Sequence, residues 1–325
     1  SLIEYKIAQI FVMNFDWPGN NNKLFKAKSS DGKWQHIMFD SDFGFERWTD
    51  LVLGFIGSYE TYNMLDHAYG GGNTFNNPVW STAIFTAFLD NQEFKHQFIN
   101  TYCDRINTTY STDHTSYLID SLKAVVAPYV VDHINRYGPS PYDSYTPNTL
   151  AAYNAAVQRM YDFASYRPDN ARNEMVELFE LDGTTNTVSL FVNDSEAGHI
   201  KINTLNVNEQ GWMGEYFSDI PISIKAVPEF GYEFSHWANQ PTFTDSVNLL
   251  VDHNMTMVAH FSEMQNPYQN MIVINEINYN SNNDFDSGDW VELYNHSNLD
   301  VDISQWQFLD SDDSHVFIIL SLIHI

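Results

Sequence analysis

Carboxylates occur at two places near the beginning of this 325-residue sequence, and the first of them also contains several amides. The first is "NFDWPGNNN", residues 14–22, and the second is "FDSDFGF", residues 39–45. Phosphoryl transfer needs one carboxylate to orient the attacking hydroxyl, and further hard oxygen ligands to hold Mg²⁺ on the phosphates. Both stretches have the residue types for such a metal-phosphate site, and both also have the composition of turns.

The order of these residues agrees with the motifs of protein kinases. In kinases a catalytic-loop Asp lies five residues before a metal-binding Asn, and Asp-Phe-Gly follows a later strand. Here Asp16, Asn21 and the Asp42–Gly44 triplet have that order and spacing. Either stretch alone favours a structural turn, because short motifs have many false positives. The two together favour the functional interpretation.

The surrounding pattern predicts the elements that position these residues. Apolar residues between positions 2 and 15 recur at helical spacing, and Pro18-Gly19 ends that pattern. "KLFKAKSSDGKWQHIMFD", residues 23–40, predicts two strands, with Asp31-Gly32 as a hairpin signal. Asp16 is therefore expected on a loop after a helix, and Asp40 and Asp42 at the end of a strand.

The stretch from Pro78 to about Leu181 has helical periodicity. Ser81 is expected as an N-cap, and a helix pair is expected around Pro128. Two further helices are expected over residues 148–168 and 170–181. Cys103 is predicted to be a core residue, and the 12 His show no zinc-ligand spacing, so no transition metal is assigned.

After Asp182 the pattern changes to alternating apolar and polar residues with turns between short segments. It predicts a β module over residues 187–262, a polar linker at 263–270 and a second β module at 271–319. The predicted class is a multidomain α+β protein, with a mainly helical region at 1–182, a small hairpin within it, and two all-β modules after it.

The charge balance limits the partners. The chain has 42 Asp and Glu against 15 Lys and Arg, a net charge of −27, and only Lys201 and Lys225 follow residue 182. This charge excludes nucleic acid and anionic membrane surfaces as expected partners. No apolar run reaches 18 residues, so no transmembrane segment is predicted. A single cysteine forms no intrachain disulfide and leaves the compartment open.

Residues 1–182 resemble the C-terminal part of the CotH kinase family, atypical kinases named after a spore coat protein. The resemblance is carried by four stretches: "NFDWPGNNNKLFKAKSSDGKWQHIMFDSDFGF", "AFLDNQEFKHQFINTYCDRINTTY", "VAPYVVDHINRYG" and "FASYRPDNARNEMVELFEL". It implies a kinase-like C-lobe that uses ATP and Mg²⁺ and transfers the γ-phosphate to Ser or Thr of a protein substrate.

The resemblance also implies a role for each residue of the two motifs. Asp16 would be the catalytic-loop carboxylate. Asn21 would bind the nucleotide-associated metal, with Asn20 and Asn22 as rivals. Asp42 would hold metal in the Asp-Phe-Gly role, and Asp40 would assist it or substitute for it.

The sequence departs from the family pattern at both ends. No Gly-rich loop, strand Lys or partner Glu precedes the motifs, so we expect a piece of a longer protein that does not transfer phosphate alone. Lys23, Lys26 and Lys28 lie near the site but favour a solvated strand face. "LSLIHI", residues 320–325, resembles a translated transposon end from sequencing libraries and is expected to be an artefact.

Two further resemblances concern the β modules. Residues 187–262 resemble a divergent internalin B-repeat through "GHIKIN", "ISIKAVPEFGYEFSHW" and "MTMVAHF", with a turn at Gly231 and a small core at Phe234 and Trp237. Residues 271–319 resemble the first part of a lamin-tail domain, an immunoglobulin-like sandwich, through "IVINEINYNS", "GDWVELYNHS" and "DISQWQFLDSDD". Trp290 and Trp306 are expected in its core.

One acidic loop of the second β module could bind Ca²⁺. "NDFDSGDW" places Asp284, Asp286 and Asp289 close together, but it lacks the position-twelve Glu of an EF-hand, which favours a solvated loop.

Two functions follow from these patterns. The first is a secreted or surface-exposed bacterial CotH-like protein kinase with β accessory modules, acting on a protein or cell-surface component. The second is a non-catalytic surface adhesin or scaffold with an inactive kinase-like region. In both, the β modules favour an extracellular or cell-surface location, as spacers or adhesion units.

Overall fold

A computed structural model describes most of the chain, in eleven ranges. They are residues 2–45, 60–71, 76–138, 147–208, 210–238, 240, 244–264, 268, 270–279, 288–309 and 316–320. Helices dominate the first half and strands the second, which confirms the mixed α+β class. Asp284, Asp286 and residues 321–325 lie outside these ranges.

The first helix, α1, spans Leu2–Phe11 and is shorter than the predicted helix over residues 2–15. It ends because Met13 adopts a left-handed backbone (φ 55°) and the Asn14 N–H turns back to the Gln9 carbonyl, 3.1 Å away. The chain therefore leaves the helix before Asp16, and Asp16 lies on a loop as the sequence predicts.

A hairpin follows this loop, as predicted. Strands β1 (Lys23–Lys26) and β2 (Trp34–Ile37) pair antiparallel, with Lys26 opposite Trp34. Asp31-Gly32 lies in the connecting loop, where a Cβ on Gly32 would meet the Ala27 carbonyl oxygen at 2.3 Å. Only glycine fits this close approach, which explains the signal that the sequence carries there.

Five more helices lie in the described part of the helical region. They are α2 (Met64–Tyr69), α3 (Val79–Leu89), α4 (Gln92–Ile106), α5 (Thr112–Tyr137) and α6 (Leu150–Phe179). The N-cap expected at Ser81 is wrong, because α3 begins after Pro78. Ser81 lies within the first turn, where its hydroxyl donates to the Pro78 carbonyl at 2.7 Å.

Two prolines lie inside helices rather than between them. Pro128 is within α5 and Pro168 is within α6, so the expected pairs of helices are two continuous helices. A proline inside a helix removes one backbone hydrogen bond at a cost of about 3 kcal/mol. Long helical segments flank both prolines and the two helices pack on each other, which offsets that cost.

The β region after α6 contains two four-stranded sheets. Their strands are β3 (Thr185–Val192), β4 (Gly198–Ile202), β5 (Leu205–Val207), β6 (Trp212–Phe217), β7 (Ile222–Pro228), β8 (Tyr232–Trp237), β9 (Ser246–Leu249) and β10 (Met255–Glu263). The sheet orders are β6-β3-β10-β8 and β5-β4-β7-β9. Strands β3 and β10 pair parallel, and the other pairs are antiparallel. Trp237 is fully buried and Gly231 has φ +89°, as the predicted core and turn require.

This β region packs directly on helix α4 through a buried carboxylate. Asp104 has no exposed surface and accepts four hydrogen bonds, from the Asn203 amide, from the Thr204 N–H and hydroxyl, and from the Tyr216 hydroxyl, at 2.6–3.2 Å. Burial raises the pKa of Asp104, and these hydrogen bonds act in the opposite direction. The helices and both sheets share one apolar core, from Ile3 to Phe261.

The last described strands form two small sheets. Strands β11 (Ile272–Asn278) and β12 (Trp290–Asn295) pair antiparallel, as do β13 (Gln307–Leu309) and β14 (Val316–Ile318). The core position expected for Trp290 is wrong, because its side chain is 38% exposed. A two-stranded sheet covers little of either of its faces, which accounts for this exposure. Trp306 is half-buried.

The helices can also be compared with the thickness of a bilayer. In the part of the chain described by the structure, no helix combines the length and the apolar character that crossing a membrane requires.

Candidate functional site

The Asp16 carboxylate is held by two amides of its own loop. Its Oδ1 accepts a hydrogen bond from Asn20 Nδ2 at 2.8 Å, and its Oδ2 accepts one from Asn21 Nδ2 at 2.9 Å. Asn21 has a left-handed backbone (φ 54°), which asparagine tolerates better than most residues and which turns its side chain back toward Asp16. Asn22 is exposed and has no comparable contact with Asp16.

The loop that follows the hairpin meets the Asp16 loop at one carbonyl group. The Asp40 carbonyl oxygen accepts hydrogen bonds from Asn21 Nδ2 at 3.2 Å and from Asn14 Nδ2 at 3.3 Å. Asn14 is fully buried, and its Oδ1 accepts the Asp16 N–H at 3.3 Å. The structure thus joins the two stretches through Asn21 and Asp40, which lie 19 residues apart in the sequence.

Asn14 is a site residue to which the sequence analysis gave no role. It lies in the quoted "NFDWPGNNN" stretch, two positions before Asp16. One sequence signal could have identified it, namely a polar residue at the end of an apolar helical pattern. An amide buried at such a position must find hydrogen-bond partners. Its Nδ2 donates to Gln9 Oε1 at 2.9 Å and to the Asp40 carbonyl at 3.3 Å, and its Oδ1 accepts the Asp16 N–H.

Gly44 attaches the Asp-Phe-Gly loop to the end of α1. The Phe45 N–H donates to the Val12 carbonyl at 3.0 Å, and the Gly44 N–H donates to the Ser41 carbonyl at 3.1 Å. A Cβ on Gly44 would lie 2.7 Å from the Val12 carbonyl oxygen, so the close approach requires glycine. Asp42 is therefore placed by a turn fixed to the same helix that leads into Asp16.

Asp40 and Asp42 form a carboxyl pair beside Asp16. The side-chain hydrogen bond with Asp42 raises the pKa of Asp40, and the negative charges of Asp42 and Asp16 act in the same direction. Lys23 lowers that pKa, and its ammonium also lies 3.3 Å from the centre of the Phe39 ring. Two carboxyls this close disfavour carrying two negative charges, and a divalent cation bound between them would offset that repulsion.

The donor set fits Mg²⁺ bound together with phosphates. Over the described ranges there is no group of three or more His, Cys, Asp or Glu side chains placed to hold a metal ion by themselves. Mg²⁺ is usually bound by one or two carboxylates plus substrate phosphates and water rather than by an all-protein cage. Asp40 and Asp42 supply the carboxylates. The Asn21 amide nitrogen is used by Asp16 and Asp40, which leaves its oxygen as the atom for a cation.

The Asp16 loop is also supported from the protein interior. Trp17 is fully buried, and its indole N–H donates to the Tyr5 hydroxyl at 3.0 Å. The Trp17 carbonyl lies 3.0 Å from His67 Nε2, and the Gly19 N–H donates to the Asn76 carbonyl at 2.6 Å. Through these contacts the loop is held on both sides of the cis Trp17–Pro18 peptide.

A buried ion pair holds the helix that leads into this loop. Arg167 of α6 pairs with Glu174 and donates to the Ile10 carbonyl at 3.0 Å and to the Phe11 carbonyl at 2.9 Å. These are carbonyls at the end of α1, which have no partner within the helix. Glu174 also accepts the Leu65 N–H of α2 at 3.2 Å. One ion pair thus fixes both helices that support Asp16.

The other residues considered in the sequence analysis lie apart from this site. Lys26 and Lys28 are exposed, as the solvated strand face predicts. Asp289 is exposed, and its proposed partners in Ca²⁺ binding fall outside the described residues. Cys103 is buried in the core, as predicted, and burial raises the pKa of its thiol to about 12.

The structure thus brings the Asp16 carboxylate, on a loop after a helix, close to the Asp40 and Asp42 carboxyls, which follow a hairpin. A family model also matches this part of the chain. The model described as CotH kinase protein matches residues 1–171, about half of the chain. The chain belongs to the CotH kinase protein family. Comparisons with curated proteins and with solved structures return no match.

Proposed function

We propose that this chain carries the phosphoryl-transfer site of a CotH-like protein kinase, with Ser or Thr of a protein as acceptor. The observation that carries the proposal is the Asn21 side chain, which joins the Asp16 carboxylate to the Asp40 carbonyl. This contact supports the proposal because the predicted catalytic loop and the loop of the predicted metal-binding carboxyls meet at it. The family match supports the same reaction class.

Asp16 is the residue that acts on the attacking hydroxyl in this proposal. Its two oxygens are oriented by Asn20 and Asn21, so the carboxylate is held before a substrate arrives. It accepts the hydroxyl proton while the new oxygen–phosphorus bond forms and the bond from the γ-phosphorus to the ADP oxygen breaks. Most of the catalytic effect in such transfers comes from positioning and electrostatics.

Asp42, with Asp40 and the Asn21 oxygen, would hold Mg²⁺ on the nucleotide phosphates. The bound ion supplies neutralisation of the charge on the transferring phosphoryl group. The chain's own contribution is to keep these oxygens at one edge of the helical region, through Gly44 and Asn14. Asn20 holds Asp16 in this account and is not a metal ligand.

The test is transfer from labelled ATP by the complete gene product in the presence of Mg²⁺. Asp16→Asn removes the proton acceptor and keeps the size of the side chain. Asp31→Asn makes the same change at an exposed position of the hairpin loop and serves as control. We expect phosphoserine or phosphothreonine from the wild type and the control, and none from Asp16→Asn. Equal labelling of all three proteins would refute the assignment of Asp16.

The second function is a non-catalytic adhesin or scaffold. It is favoured by the size of the β region, which packs on the helices through Asp104 and occupies much of the chain. In that case the complete gene product binds no nucleotide and the Asp16 loop serves only as a turn. The labelling experiment separates the two functions.

The location and the accessory roles of the β regions are part of the same proposal. We expect an extracellular or surface-exposed bacterial protein, with the regions that resemble an internalin B-repeat and a lamin-tail domain as contacts to a protein or cell-surface component. Protease treatment of intact cells that express the complete gene tests this. Cleavage only after lysis would contradict it.

A further inference from the structure

His67 lies directly behind the Asp16 loop and uses both of its ring nitrogens. Its Nε2 lies 3.0 Å from the Trp17 carbonyl oxygen, and its Nδ1 lies 2.8 Å from the Tyr62 hydroxyl. A carbonyl oxygen only accepts hydrogen bonds, so Nε2 must carry the proton. Nδ1 then accepts from the Tyr62 O–H. The two partners together select one neutral tautomer.

The surroundings of His67 keep that neutral form. The side chain is 3% exposed, and burial lowers the pKa of His67 to about 4, although the hydrogen bond with Trp17 acts in the opposite direction. Burial also raises the pKa of Tyr62 to about 12, so its hydroxyl keeps its proton. The donor that faces Trp17 is therefore constant over the physiological pH range.

The main chain of His67 holds the same loop by a second route. Its carbonyl accepts a hydrogen bond from Asn77 Nδ2 at 3.0 Å, and the neighbouring Asn76 carbonyl accepts the Gly19 N–H at 2.6 Å. The imidazole holds the loop before Pro18, and the 76–77 segment holds it after Pro18. Asp16 directly precedes Trp17, which makes the first contact. Asn20, which orients Asp16, directly follows Gly19, which makes the second contact.

We propose that His67 is a positioning residue for Asp16, acting through the Trp17 carbonyl. The inference rests on the proposed phosphoryl-transfer function and deepens it. Fixing the Trp17 carbonyl fixes the plane of the following peptide group, and with it the turn that brings Asn20 and Asn21 onto the Asp16 carboxylate. Without this contact the Asp16 carboxylate and the Asn21 side chain beside it lose their fixed orientation.

The test compares three variants in the complete gene product. His67→Leu removes the donor, His67→Gln offers an amide N–H to the Trp17 carbonyl, and Tyr62→Phe removes one of the two partners that select the tautomer. His114→Leu, an exposed change in α5, is the matched control. We expect kcat per folded molecule to fall about 10–100-fold in His67→Leu, as for other residues that orient a catalytic group. His67→Gln is expected to recover much of kcat.

A spectroscopic measurement separates positioning from stability. Nitrogen-15 NMR of the wild type at neutral pH should show His67 protonated at Nε2 only, and Tyr62→Phe should shift that signal and lower kcat. Because Tyr62→Phe keeps the ring volume, it also tests the proposal if His67→Leu fails to fold. A role in folding alone would lower the unfolding midpoint and leave kcat per folded molecule unchanged.

The outcomes also separate this inference from the proposed function. Wild-type transfer with unchanged kcat in folded His67→Leu or in Tyr62→Phe would overturn the role of His67 alone. An imidazole protonated at Nδ1 in the wild type would do the same. A complete gene product that transfers no phosphate from ATP would overturn the proposed function and this inference with it.

Discussion

The Nδ2 atom of Asn21 lies 2.9 Å from Oδ2 of Asp16 and 3.2 Å from the carbonyl oxygen of Asp40. One side chain therefore connects a loop that follows a helix with a loop that follows a hairpin. The connection brings both stretches to one place in the fold. It also leaves the Asn21 oxygen as the only atom of that side chain with which a cation can interact.

Replacing Asn21 should therefore weaken metal binding more than replacing its neighbours. Asn21→Ala removes the proposed metal ligand and the contact with Asp16, and we expect Mn²⁺, used as a Mg²⁺ substitute, to bind about 10–100-fold more weakly. Asn22→Ala changes an exposed residue and should leave the affinity unchanged. Calorimetry with both variants checks this. A larger effect of Asn22→Ala would move the ligand from Asn21 to Asn22.

Metal binding at the carboxyl pair should release a proton. The hydrogen bond with Asp42 raises the pKa of Asp40, so in acid solution Asp40 keeps a proton that a cation must displace. Affinity for Mg²⁺ should thus fall as the pH falls through the raised Asp40 pKa, and level off above it. Titrations in buffers of different ionisation heat measure the released proton. Asp40→Asn should abolish the release, and release that persists in Asp40→Asn would contradict the assignment.

Removing Arg167 should destabilise the protein and loosen the site. Arg167→Leu leaves the buried Glu174 carboxyl without its cationic partner and removes the guanidinium donors from the Ile10 and Phe11 carbonyls. Breaking a buried pair in this way costs about 3–5 kcal/mol in free energy of unfolding. Urea unfolding measures it, with Arg136→Leu at an exposed position as control. Arg167→Leu combined with Glu174→Leu should recover part of the loss, and no recovery would mean that the carbonyl contacts dominate.

The helices and the β region should unfold together because Asp104 joins them. Asp104→Ala leaves the Tyr216 hydroxyl and the Thr204 donors buried without their acceptor, and each unsatisfied group costs about 1–3 kcal/mol. Calorimetry should show one transition for residues 1–264 in the wild type and two in Asp104→Ala. Two transitions already in the wild type would show that the two regions are independent units.

The sequence was sufficient for the residues whose chemistry is local. Asp16, Asn21 and Asp42 were predicted from residue type and spacing, and Asp16 and Asn21 lie on the loop expected after α1. Asp42 was expected at the end of a strand, but β2 ends at Ile37 and Asp42 lies in a turn beyond it. The hairpin was predicted because Gly32 is required by a close approach within the loop itself. Such signals depend on a few neighbouring residues, and a sequence displays them directly.

The residues that support the site could not be predicted in this way. His67 contacts Trp17 across 50 residues, and Arg167 contacts Phe11 across 156. Only the fold brings these pairs together, so no local pattern marks them. The same reason explains the errors at Pro128 and Pro168, where packing between helices outweighs the local preference of proline to end a helix.

The central claim is that Asp42 holds the metal of a nucleotide site. It is tested most directly by Mg²⁺-dependent ATP binding to the complete gene product, measured by calorimetry for the wild type, Asp42→Ala and Asp31→Ala. Asp31 is exposed in the hairpin loop, and its replacement removes the same charge. We predict that the wild type and Asp31→Ala bind MgATP and that Asp42→Ala does not. Equal binding by all three proteins, or binding by none, would contradict the claim.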